Sequence, residues 1–141
     1  MPISSTDVHE GLIALQKDRQ KRFSSEIIEL AEKRLQAIKN NDYFLADQLN
    51  GHINKLGCCV VDSPNSFILI ALPKQDRAKD KIIYSKYVIE IADVISAATY
   101  SKQQAVIDYY SNVLKERGII INVDQKDFTY TLKTKKPKLK A

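Results

Sequence analysis

The chain has 141 residues, of which 44% are hydrophobic and 28% are charged, a composition typical of a globular domain that buries a core. With only two cysteines and four glycines, it excludes a disulfide scaffold, a collagen-like repeat and wholesale disorder. The formal net charge of +5 comes from five lysines close to the C-terminal end, which are Lys133, Lys135, Lys136, Lys138 and Lys140.

The longest apolar run extends from Phe67 to Leu72, far short of the ~20 residues that span a bilayer, so no membrane partner is expected. The first residues show no positive stretch followed by an apolar core, and no secretory signal is visible. A cytoplasmic location is therefore predicted.

The N-terminal part is predicted to be helical. Asp7 and Glu10 have the spacing of a capping box, and apolar residues recur at three- and four-residue steps from Leu12 to Ile38. Residues 16–22 are polar all round, which leaves two alternatives: the helix projects into solvent near its start, or it breaks at residues 24–25. Residues 1–24 are assigned to an N-terminal helical arm.

Residues 25–73 read as a unit of two helices and a hairpin. Asp42 is placed to cap the second helix, and Gly57 is placed to end it in the left-handed conformation. Apolar runs over residues 58–61 and 67–72 flank the turn cluster at residues 62–66 and predict two paired strands.

A charged linker at residues 74–85 is followed by the same plan in residues 86–133. The helical period resumes over residues 82–100, and Ser101 with Gln104 has the spacing of a second capping box. Gly118 ends the next helix, and residues 119–123 and 128–132 form the second hairpin. Residues 134–141 form a basic tail.

The two units superpose without a gap when the chain is shifted by 61 residues, so that Gly57 and Phe67 meet Gly118 and Phe128. This register predicts an α+β fold made by tandem duplication of a helix-helix-hairpin unit. The two hairpins can then join in one antiparallel sheet covered by helices. The alternative is two similar units made alike by shared physics.

The sequence offers little for catalysis, and no catalytic residue, metal ligand set, cofactor or small-molecule substrate is predicted. Only two histidines are present, and no motif for metal binding, phosphate binding or a nucleophilic serine occurs. Cys58 and Cys59 are adjacent, so one is expected to pack in the core and the other to be a spare thiol.

One segment resembles the C-terminal anticodon-recognition segment of cysteinyl-tRNA synthetases. The similarity covers about residues 28–67 and rests on an Asp-aromatic pair, an Ala-Asp dipeptide, a helix-ending glycine and an Asp-Ser-Pro turn, here at residues 42–43, 46–47, 57 and 62–64. The resemblance implies RNA, and tRNA in particular, as a partner. The helical part is also similar to the UVR hairpin, a protein-interaction module.

The charges and aromatic residues are compatible with two kinds of binding module. RNA is the first candidate partner, through the five C-terminal lysines and Arg34, with Arg19 and Arg22 as further cations. The alternative is a protein-protein interaction module, such as an adaptor, an assembly subunit or a bacterial effector. Tyr109 and Tyr110 lie about 100° apart on one helix, so one of them is expected to meet the other unit, another subunit or a foreign partner. The alternative is that one of the two rings lies on the surface.

Overall fold

The structure, a computed structural model, describes residues 5–74 and 84–134, which form a mixed α+β fold, as predicted. The helices are α1 (Ser5–Asp18), α2 (Ser25–Lys39), α3 (Tyr43–Lys55), α4 (Lys86–Tyr100) and α5 (Gln104–Glu116), with a 3-10 turn at Arg19–Arg22. The strands are β1 (Cys58–Ser63), β2 (Ser66–Ala71), β3 (Ile119–Val123) and β4 (Tyr130–Thr134).

Local signals at the helix ends act as the sequence indicates. Ser24 and Asp42 accept hydrogen bonds from the backbone N–H groups of the first turns of α2 and α3, and Ser85 does the same for α4. Gly57 and Gly118 have φ angles of 92° and 77°, which confirms that each leaves its helix in the left-handed conformation.

The two units have the same order of elements, and the bounds of α2 and α3 fall 61 residues before those of α4 and α5. The turns between the helices also correspond, since Asn41 and Lys102 have φ angles of 59° and 58°. The register breaks in the hairpins: Phe67 lies in β2, whereas Phe128 has a φ of 61° and precedes β4. The predicted register of the two phenylalanines is therefore wrong, and the duplication stays a prediction.

The hairpins do not join in one sheet. In the described residues, β1 pairs with β2 and β3 pairs with β4, giving two separate two-stranded antiparallel sheets. The reason lies at the outer edge of β2, where side chains take the place of a third strand. Gln20 bonds to both the N–H and the C=O of Leu69, Asp93 accepts from the N–H of Ala71, and Tyr130 donates to its C=O.

Helix α1 is packed rather than projecting, so the projection alternative is wrong. Leu15 is fully buried against Ala97, Ala98 and Val106 of α4 and α5. Gly11 sits at the closest approach, because a Cβ added there would lie 2.5 Å from a methyl carbon of Val106. The second alternative, a break in the helix near residues 24–25, is confirmed, because the 3-10 turn at residues 19–22 separates α1 from α2.

Three further expectations about helix starts are corrected. Helix α1 already includes Asp7, so that residue is not its cap. Helix α4 begins at Lys86 rather than at residue 82, because Ser85 caps it. Helix α5 is preceded by Gln103, whose side chain makes no capping bond, while Ser101 ends α4, so the predicted second capping box is not formed.

Helix α4 lies at the centre of the molecule, with nine of its 15 residues buried. Its apolar face packs on β2, β3, β4 and α5, and the main core cluster is built around it. Within residues 5–74 and 84–134, no helix is long and apolar enough to cross a membrane. Most of the predicted linker and basic tail, residues 75–83 and 135–141, lie outside the described residues.

Candidate functional site

An open groove of about 420 Å³ lies between α4 and α5. We call it the tyrosine groove; it is lined by Tyr87, Glu90, Ile91, Val94, Tyr109, Tyr110 and Val113. Residues three and four apart on a helix share a face, so α4 contributes four side chains to one wall and α5 three to the other. The groove therefore contains both tyrosines that the sequence selected.

The two adjacent tyrosines divide their roles as the helical geometry requires. Tyr110 is half-buried against two core clusters, whereas Tyr109 keeps 45% of its surface exposed. Their rings make an edge-to-face contact, with centroids 4.9 Å apart and an interplanar angle of 87°. The packed ring of Tyr110 thus supports the exposed ring of Tyr109.

The hydroxyl groups of the three tyrosines add hydrogen-bonding groups to the groove. Burial raises the pKa of Tyr110, and the neighbouring hydroxyls of Tyr109 and Tyr87 add to the shift, so this phenol stays protonated well above neutral pH. At the other end, the guanidinium of Arg117 lies 4.5 Å from the ring centroid of Tyr87, which is 49% exposed. The groove therefore presents hydroxyl donors, the carboxylate of Glu90 and, over the ring of Tyr87, the cation of Arg117.

The predicted RNA-binding residues are dispersed in the structure or lie outside its described part. Lys133 is exposed on β4, and Lys135, Lys136, Lys138 and Lys140 are outside the described residues. Arg34 is not a free cation, because it forms a two-point ion pair with Asp62 on the first hairpin, at 2.7 and 3.0 Å. This bond from Arg34 holds the pKa of the Asp62 carboxyl below its usual range.

Arg19 and Arg22 are also committed to internal contacts, which sequence reasoning did not anticipate. Both bind the carboxylate of Asp93, Arg19 to one oxygen and Arg22 to the other, each with a nitrogen 2.6 Å away. Asp93 is fully buried and the Arg22 side chain is only 3% exposed. Arg22 also donates to the hydroxyl of Ser96. The available signal was Asp93 itself, a lone charge on the otherwise apolar face of α4.

A second exposed apolar cluster lies where α3 begins. Tyr43, Phe44 and Leu45 are all exposed, with Phe44 at 75%, while Ala46 is buried at the crossing with α2. The cluster falls within the segment that resembles the synthetases.

Neither Cys58 nor Cys59 forms a disulfide bond. Cys58 is buried, and Cys59 is half-buried beside an apolar cavity of about 370 Å³ between β1, β2 and the start of α4. Burial raises the pKa of the Cys59 thiol to about 11, and the charge of Asp93 adds to the rise. The thiol is therefore protonated and poorly nucleophilic at neutral pH. Among residues 5–74 and 84–134, no group of three or more potential ligands is placed to hold a metal ion.

No protein-family profile, no curated protein and no solved structure matches this chain. The resemblance of residues 28–67 to the cysteinyl-tRNA synthetase segment thus stays a prediction from its motif. The function has to be argued from the surfaces described above.

Proposed function

We propose that this protein is a non-catalytic protein-interaction module and that the tyrosine groove is its docking surface. The observation that carries the proposal is the convergence of Tyr87, Tyr109 and Tyr110 on one open groove, with two of the three rings nearly half exposed. A cytoplasmic setting is part of the proposal, since free thiols suit a reducing compartment.

The residue types at the groove favour protein contact for a physical reason. Tyrosine brings a large apolar ring and a hydroxyl to an interface and has few rotatable bonds to immobilise on binding. Tyrosine and arginine are also the residue types that dominate binding energy at protein interfaces. The cation–π contact of Arg117 with Tyr87 and the edge-to-face contact of Tyr110 with Tyr109 keep these side chains close to one conformation before a partner binds.

The chemistry of the groove limits its partner. Apart from Glu90, its walls are apolar and aromatic, and the tyrosine hydroxyls and Arg117 can donate hydrogen bonds at its edge. The fitting partner is a protein segment that inserts one apolar side chain and presents a carbonyl or carboxylate oxygen beside it.

The test compares two pairs of substitutions that each remove two exposed aromatic rings. Tyr87→Ala with Tyr109→Ala opens the groove, whereas Tyr43→Ala with Phe44→Ala removes exposed rings on α3 and serves as the matched control. Each protein is used to capture partners from a native lysate, and its solution mass is measured. We expect the groove variant alone to lose a partner or self-association, with an unchanged thermal midpoint. An unchanged partner list and mass for the groove variant would contradict the proposal.

RNA binding is the second candidate, favoured by the exposed Lys133 at the start of the basic run and by the exposed Phe44. It ranks second because Arg19, Arg22 and Arg34 are paired with carboxylates. Binding of tRNA and single-stranded RNA at about 50 and about 200 mM salt, with and without the residues after Leu132, tests it. Affinity that survives truncation unchanged would exclude a role for the lysines.

A further inference from the structure

A further cavity, chemically different from the tyrosine groove, lies where β3 packs against α4 and α5. Its volume is about 370 Å³. We call it the polar cavity; it is lined by Ile95, Thr99, Lys102, Gln104, Ile107, Ser111, Ile121, Asn122, Val123 and Gln125. Its lining comes from α4, α5, β3 and the turns that follow α4 and β3.

The lining has an apolar inner part and a polar rim. Ile95 is buried, and Ile107, Ile121 and Val123 are half-buried because they also pack against the main core. These aliphatic side chains form an inner surface that is held in place by its packing against the main core. A planar ring placed against it removes apolar area from water on one face without disturbing the fold.

The rim offers uncharged hydrogen-bonding groups that the fold does not use. Among the described residues, the side chains of Ser111, Asn122 and Gln125 make no hydrogen bond. An amide side chain both donates and accepts, so Asn122 and Gln125 can bond to the edge of a heterocyclic base in either sense. Gln104 is held by its bond to Asp108, at 2.8 Å, which leaves its carbonyl oxygen as an acceptor.

Lys102 supplies the charge of the lining, which contains no aspartate or glutamate among the described residues. Its backbone is in the left-handed conformation, with a φ of 58°, where Asn or Gly is favoured over Lys. The corresponding turn of the first unit has Asn41 in the same conformation. Lysine at this position is therefore disfavoured for the backbone, and it is the one cationic residue in the lining of the cavity among the described residues.

We propose that the polar cavity binds a nucleotide, with the base against the aliphatic inner surface and the phosphate at Lys102. The apolar inner part distinguishes this ligand class from a simple phosphate or sugar phosphate, which would leave that surface wet. The lack of a carboxylate in the lining argues against a ligand that carries an ammonium group. This proposal is independent of protein docking at the tyrosine groove.

The test is a titration of the ¹⁵N-labelled full chain with AMP, GMP, CMP and UMP, followed by NMR. Inorganic phosphate, ribose 5-phosphate and uridine are the comparison ligands, and a four-nucleotide RNA distinguishes a free nucleotide from one within a chain. We expect saturable shifts at the residues of the polar cavity for at least one nucleotide and weaker binding of ribose 5-phosphate. Shifts confined to other surfaces, or none at millimolar nucleotide, would overturn the proposal.

Three variants make the result specific. Lys102→Gln should weaken nucleotide binding about tenfold, the loss expected for one charge-assisted bond, and should leave uridine binding unchanged. Lys126→Gln removes the same charge from the exposed β3–β4 turn outside the cavity and is the matched control. Ser111→Leu adds bulk to the wall and should block all ligands. Equal weakening by Lys102→Gln and Lys126→Gln would show non-specific attraction and refute the assignment, and thermal melts verify that each variant is folded.

Discussion

The buried ion network between the 3-10 turn and α4 yields the sharpest prediction about stability. Asp93 is fully buried and accepts bonds from both Arg19 and Arg22 as well as from the backbone of Ala71. Asp93→Asn preserves the shape of this side chain but removes its charge. The two guanidiniums would then face a neutral amide whose nitrogen, like theirs, can only donate.

The magnitude follows from how much of the network is shielded from water. The side chains of Arg19 and Arg22 are 12% and 3% exposed, so neither can recover its solvation without moving. Removing one partner of a buried ion pair costs about 3–5 kcal/mol. A domain of this size has a total stability of roughly 5–15 kcal/mol, so the variant should lose a large fraction of it.

Urea unfolding at pH 7 measures the effect. With a slope of about 2 kcal/mol per molar urea, a loss of about 4 kcal/mol lowers the midpoint by about 2 M. Asp108→Asn is the control, because Asp108 is exposed on α5 and accepts a hydrogen bond from the Gln104 side chain only one helical turn away. This control substitution should change the free energy of unfolding by no more than about 0.5 kcal/mol. A loss below about 1 kcal/mol for Asp93→Asn would refute the view that this carboxylate holds the junction together.

Three other predictions concern single side chains. Gly11→Ala should destabilise the fold by about 1–2 kcal/mol, because the added methyl group would overlap Val106 of α5. Gly51→Ala lies in open space on α3 and should stabilise the fold by about 0.5–1 kcal/mol. Urea unfolding of the two variants measures both changes. Cys59 should react slowly with iodoacetamide at pH 8 and faster as the pH approaches its pKa of about 11, which mass spectrometry can follow; a rate equal to that of a free thiol would contradict its burial. The pKa of the Asp62 carboxyl is lower in the folded protein than in the unfolded chain. The ionised carboxylate therefore stabilises the fold at pH values above its unfolded pKa, and this stabilisation is lost as the pH falls through its lower, folded pKa. An NMR titration of the carboxyl that gave an ordinary pKa would contradict this.

Elements whose signals are local could be predicted well from the sequence. Asp42 caps α3 and Gly57 and Gly118 end their helices as expected, because a cap or a left-handed residue acts within a few residues of itself. The burial of Tyr130 and Leu132 on one face of β4 likewise follows from alternation along a strand. The α+β class follows from the order of these elements.

The packing of the polar stretch at residues 16–22 could not be predicted from local signals. Its lack of an apolar face indicates exposure, yet Arg19 and Arg22 are paired with a carboxylate more than 70 residues further along the chain. The same separation explains the two sheets. Gln20, Asp93 and Tyr130 bond to the outer edge of β2, and none of these contacts has a local pattern in the sequence.

The sequence by itself determined the helices, the strands and the presence of aromatic and basic residues suited to binding. Only the tertiary structure decided which of these residues are free to bind. It commits Arg34 to Asp62, leaves Phe44 and Tyr109 exposed, and forms the tyrosine groove and the polar cavity from different residues of α4 and α5. The physical reason is that backbone hydrogen bonding and side-chain period act between near neighbours, whereas the exposure of a side chain depends on every element that packs around it.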